Sequence, residues 1–162
     1  MGIIAHTVIR KERYITMSAS ILQEAYVYMA TTTDTVSPLD EGKYPITRLR
    51  LSDSAKRHIH KFGICVKIGS TTKHPSTRSY QLESEKGMII IKTQTLQTTP
   101  AGLLLIESIL RQLLESHPYT HQIGTDTFQV FTDNHREDVI AHWEEWLDKA
   151  LRLAEIIGRK GA

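Results

Sequence analysis

The chain has a single cysteine, Cys65, so no internal disulfide can form and a reducing compartment is expected. With no metal-ligand spacing after it, Cys65 reads as a small buried hydrophobe. Nine glycines and five prolines in 162 residues are too few for a fibrous or low-complexity chain. Aromatic residues supply only 7%, with 40% apolar and 23% charged, the balance of a soluble globular protein. No apolar run approaches the roughly 20 residues of a membrane-spanning helix, so no membrane partner is expected. The opening MGIIAHTVIRKERYITM is broken by charges and has no cleavage pattern, which predicts no signal peptide and a cytoplasmic or nuclear location. Its Met-Gly start fits myristoylation poorly, because His6 stands where serine or threonine is wanted. No internal repeat divides the chain, and its length predicts a single domain, 1–162.

Net charge is also small, at +2, yet it is spread unevenly. From Gly42 to Arg78 the chain carries Lys43, Arg48, Arg50, Lys56, Arg57, Lys61, Lys67, Lys73 and Arg78 against one acid, Asp53. From Asp133 to Glu155 seven acids face three bases. A dense basic block interleaved with His58, His60 and His74 is either a solvated face or the footprint of a polyanion. His58-Ile-His60 lacks a third and fourth ligand at sensible spacing, so phosphate contact or exposure explains it better than zinc.

Hydrophobic patterning predicts a small α/β (α+β) domain. Strands are expected at 24–32 (EAYVYMATT), 63–69 (GICVKIG) and 87–95 (GMIIIKTQT), with a short final strand in TDTFQVF, 125–131. Residues 31–63 form a long basic insertion with a short helix at LSDSAKRHIHKF. Pro75 suits the first turn of a helix that Ser76 to Ser84 can continue. Thr99 caps, and Pro100 opens, a second helix, AGLLLIESILRQLLES. A C-terminal helix follows over 133–157, with Val139, Trp143, Trp146, Leu147, Ala150 and Ala154 in one stripe. That stripe reads as core packing before a homodimer seam.

On the Pro100 helix, Glu107 is flanked by the apolar sector while Ser108, Arg111, Gln112 and Glu115 mark the wet side. A carboxylate so placed is partly desolvated and wants a cation or donor. An i, i+4 pair with Arg111 would satisfy it; so would a single hard divalent ion. Tyr26 and Tyr28 alternate about Val27 and point to one face of a strand. Taken singly, Tyr28 is a half-buried core tyrosine and Arg78 a surface arginine.

Taken together, YVY (26–28), VKIG (66–69), Arg78 and Glu107 resemble the GIY-YIG nuclease superfamily. They are most similar to its phage-type branch, which has KIG in place of YIG, and TDTFQVF resembles that branch's closing acid-x-aromatic segment. The resemblance spans about residues 24–131. It implies a small, mostly antiparallel three-stranded sheet flanked by helices, and a metal-dependent endonuclease that cuts DNA at phosphodiester bonds. By position, Tyr28 implies a general base, and Lys67 replaces the second tyrosine as the cation that lowers the phenol's pKa from its usual value near 10. Arg78 would clamp the scissile phosphate, and Glu107 would bind one Mg²⁺ or Mn²⁺. Arg48, Lys56, Arg57, Lys73 and His74 would grip the flanking nucleic acid, with salt-sensitive affinity.

Several positions depart from the family pattern. Tyr26 stands at the first glycine, and residues 29–66, 38 in all, separate Tyr28 from Lys67 where about ten are usual in the family. Leu82 and Ser70 stand where members carry a histidine or lysine, with His74 and Tyr80 as substitutes. Thr125, Asp126 and Thr127 are the nearest match to a late asparagine. The alternative function is a non-catalytic nucleic-acid-binding module on the same fold.

Overall fold

Threonine, isoleucine, valine and tyrosine, all favoured in strands, supply 19 of the 39 residues that pair into a sheet, while proline and glycine punctuate its connections. The computed structural model describes residues 12–15, 22–32, 53, 54, 57, 64–130 and 133–160. Among them the chain runs β1 (Glu12–Ile15), β2 (Gln23–Thr32), β3 (Cys65–Thr71), α1 (Pro75–Lys86), β4 (Met88–Thr98) and α2 (Pro100–Glu115). It ends with β5 (Thr120–Gln122), β6 (Thr127–Val130), α3 (Asp133–Ala141) and α4 (Trp143–Lys160). Asp53, Ser54 and Arg57 are helical and exposed, in the segment where the sequence predicts a short helix. Arg48, Lys56 and the rest of the basic insertion lie outside the described residues.

All six strands join one sheet in the order β1-β4-β2-β3-β6-β5. The five strands from β4 to β5 are antiparallel, and β1 adds parallel to β4 at the edge. The fold is therefore α+β, and the sheet is wider than the three strands expected from the sequence. Hydrophobic patterning finds the central strands β4, β2 and β3 and also the short β6, expected within 125–131. The two strands it misses, β1 and β5, are short, and backbone pairing rather than an apolar run defines them.

Each face of the sheet has its own core. On one, Tyr28, Ala30, Cys65, Met88 and Ile90 meet Leu82 of α1, the crossover from β3 to β4. On the other, Val27, Met29, Val66, Ile68, Ile89 and Ile91 meet Leu103, Ile106, Leu110 and Leu114 of α2. Trp143, Trp146, Leu147, Ala150 and Ala154 of α4 extend this second core, so the C-terminal stripe is buried within the chain. The long helix expected there breaks at His142, between α3 and α4. Buried Arg136 ties α3 to the end of β2, donating from Nη1 to Thr32 Oγ1 at 3.1 Å.

The helix starts explain how site residues are aimed. His74 caps α1, its Nδ1 accepting from the Ser76 N–H at 3.2 Å, with Pro75 at the first helical position. That places Arg78 at the end of the first turn. Gly87 stops α1 in the left-handed conformation at φ 62°, its N–H bonding back to Glu83 and Leu82. Thr99 caps α2 by accepting from the Gly102 N–H at 3.1 Å, which fixes the rotation of Glu107.

Candidate active site

The site forms where β3 outruns its neighbour. β6 pairs with β3 only over Cys65–Lys67, so Gly69, Ser70 and Thr71 lie beyond that pairing. On the other side Tyr28 stands opposite Gly69, and its buried ring lies over the glycine. A Cβ at Gly69 would collide with the ring's Cε1, Cζ and hydroxyl, so only glycine fits. This gives the final glycine of VKIG a geometric cause.

The Tyr28 hydroxyl accepts a hydrogen bond from Arg78 Nε at 3.2 Å. Arg78 also donates from Nη1 to Gln81 Oε1 at 3.3 Å. Its other terminal nitrogen has no protein partner among the described residues. A shallow groove lined by Ser76, Thr77, Tyr80 and Gln81 runs along the same stretch of α1.

Glu107 approaches from the opposite face, and the Ser70 hydroxyl donates to its Oε2 at 2.5 Å. The carboxylate is half-buried and close enough that its charge acts on Tyr28. Arg111, expected as the alternative partner of Glu107, instead donates to the Thr125 carbonyl at 3.5 Å. Thus Tyr28, Arg78 and Glu107, from β2, α1 and α2, gather around Gly69 and Ser70.

Lys67 takes a different position from the expected one. It shares the Tyr28 face, opposite Ala30, but its buried ammonium pairs with Asp126 at the start of β6. Asp126 also accepts from the Thr127 hydroxyl at 3.1 Å, so both of its oxygens are committed. The cation bonded to Tyr28 is Arg78, not Lys67. Asp126 lay among the candidates for the family's late asparagine. Its pairing with Lys67, 59 residues away, has no local sequence signal.

Burial pushes the Tyr28 phenol above its usual range, and the bond and charge of Arg78 only partly oppose it. Asp126 and Glu107 add to the rise. The phenol therefore keeps its proton at neutral pH, contrary to the expected ease of ionisation. Burial likewise pushes Lys67 below the usual lysine range, against the pull of Asp126. Burial alone would raise Asp126, but the Lys67 bond and charge, with help from Thr127 and Lys86, outweigh it and hold the carboxyl low.

The donor set suits one hard cation. Glu107 Oε1 has no protein partner among the described residues, whereas Asp126 cannot turn away without stranding buried Lys67. A single available carboxylate, with water and phosphate completing the shell, is a common arrangement for Mg²⁺. Of the other predicted residues, Lys73 and His74 are exposed beside the N-terminus of α1, and the His74 ring meets the edge of Tyr26 at 6.3 Å. His74 precedes Arg78 by one turn, on the same side of α1. Tyr80 is 62% exposed and Leu82 is fully buried in the smaller core, while His74, the other proposed substitute, is in ring contact with Tyr26.

Comparison of the chain with protein-family models, with curated proteins and with solved structures finds no match.

Proposed function

We propose that the protein is a metal-dependent endonuclease that hydrolyses phosphodiester bonds in DNA by GIY-YIG-type chemistry. The observation that supports this most is the convergence of Tyr28, Arg78 and Glu107, from three separate elements, on the Gly69–Ser70 backbone.

Each residue then has a task that its contacts suit. Arg78 binds the scissile phosphate through the guanidinium edge not used on Tyr28 and Gln81. Glu107, held by Ser70, would hold Mg²⁺ or Mn²⁺, which would supply positive charge for the phosphate and a bound water of lowered pKa. Tyr28 accepts from Arg78 and retains its own O–H to orient the incoming water. It can act as the base only with more positive charge nearby than Arg78 supplies, because burial outweighs that guanidinium. Lys67 acts through Asp126, offsetting a carboxylate that would otherwise raise the phenol further. Arg57, Lys73 and His74, all exposed, would contact the flanking backbone of the DNA.

One observation favours the second reading, a non-catalytic nucleic-acid-binding module. Tyr28 is 1% exposed, and a base must reach its water. The two readings separate in one experiment with plasmid and short duplexes in Mg²⁺ or Mn²⁺. The endonuclease reading expects cleavage by the wild type and a loss of at least about 100-fold in Glu107→Ala and Arg78→Ala. Salt-sensitive DNA binding without cleavage, unchanged in Glu107→Ala, would support the binding module instead.

A further inference from the structure

A second cluster of polar side chains lies at the far end of α2, which runs eight residues or roughly 12 Å beyond Glu107. His117 follows the helix, Asp138 belongs to α3, and His142 is the single residue between α3 and α4. One ligand atom from each lies within 4.8 Å of the others. His117 Nε2 is 2.9 Å from Asp138 Oδ2. We propose that these three residues form a zinc site with two imidazole nitrogens, one carboxylate oxygen and a fourth position open to solvent.

The orientation of His142 carries the proposal. Its Nδ1 donates to the Asp138 backbone carbonyl at 2.7 Å, which places the proton there and leaves the Nε2 lone pair for a metal. Ligating histidines are commonly fixed through the far ring nitrogen in this way. The rings are also braced. His142 stacks on Trp146 at 5.2 Å and 25°, and His117 meets the edge of the same indole at 6.3 Å.

Ligand atoms around tetrahedral zinc lie about 3.3 Å apart, from bond lengths near 2.0 Å. The 4.8 Å limit therefore closes by side-chain rotation of about 1.5 Å, which exposed Asp138 and half-buried His142 can make. His117 must shift its proton to Nδ1, giving up the 3.2 Å bond from the Tyr119 N–H. Losing that bond is a cost that the bond to zinc must offset. Two nitrogens and one oxygen suit zinc, whereas magnesium prefers oxygen alone. Three protein ligands leave an exchangeable fourth position, and the ion would clamp the end of α2 to the α3–α4 junction.

The test is calorimetric titration of the metal-free full-length chain with Zn²⁺, beside thermal unfolding. One Zn²⁺ should bind per chain, and Tm should rise by about 5–11 °C at a free zinc concentration 100 times Kd. Asp138→Asn changes an exposed residue and His142→Ala a half-buried one, and circular dichroism would check that both fold as the wild type does. Each should weaken zinc binding by at least roughly 100-fold, since even losing an outer-shell partner costs about 10–100-fold. A wild type without zinc binding, or zinc retained at full strength in both ligand variants, would overturn the proposal.

Discussion

Substituting Gly69 by alanine tests the geometry at the centre of the site. The new methyl would occupy the position of the Tyr28 ring edge and hydroxyl. The ring cannot move aside freely, because it is fully buried with Ala30, Leu82 and Ile90. Overpacking of this kind costs about 1–3 kcal/mol. Displacing the phenol also breaks its half-buried bond to Arg78, a loss of about 1–3 kcal/mol that partly overlaps the first. A combined destabilisation of about 2–4 kcal/mol follows. For a chain of this length it lowers Tm by about 4–16 °C. Thermal and urea unfolding would measure it, with Gly124→Ala as control, because a Cβ there meets only Thr127 at 4.0 Å. The control should stay within about 0.5 kcal/mol of the wild type. In a Tyr28→Ala background the Gly69→Ala cost should also fall to that level, giving a coupling of at least about 1.5 kcal/mol. If Gly69→Ala were as harmless as Gly124→Ala, the ring would not lie over the strand and the site as described would be wrong.

Asp126 titrates lower folded than unfolded, so its stabilisation is complete above about pH 4 and is lost as pH falls through the folded value. Asp126→Asn should flatten that acid limb in urea midpoints measured against pH, and should cost about 2 kcal/mol at pH 7 by stranding Lys67. That figure is below the usual penalty for breaking a buried pair because the Asp126 side chain is 30% exposed. Ser70→Ala frees the Glu107 carboxylate without removing it; Mn²⁺ affinity by calorimetry should weaken by about 3–10-fold, the equivalent of one ordinary hydrogen bond. Leu110→Ala, fully buried beneath α2, should destabilise by about 2–5 kcal/mol in urea unfolding while leaving metal affinity unchanged.

What could be read from the sequence was what local chemistry encodes. β2, β3 and β4 carry apolar runs long enough to stand out, and Thr99-Pro100 marks the start of α2 in residue types alone. The alternation of Tyr26 and Tyr28 about Val27 correctly puts both tyrosines on one face, because the strand period is two. Residues 12–15 gave no such signal, since ERYI forms β1 by backbone pairing to Thr95–Thr98. The stripe through Val139 and Trp143 continues across His142, so periodicity hides the break between α3 and α4. Lys67 and Asp126 meet only because β3 and β6 pair, and a long-range register is not written in either segment. Asp138 and His142 stand four apart on the sequence, but His117 joins them only through the turn after α2.

The most direct test of the account is the first-order rate at which supercoiled plasmid is lost in Mn²⁺, compared between the wild type and Glu107→Gln at equal folded concentration. The wild type should convert it to nicked and linear forms, and the variant, isosteric but without the charge, should be slower by at least about 100-fold. Equal rates, or no product from the wild type in either metal, would contradict the assignment of Glu107, Arg78 and Tyr28 to one hydrolytic centre.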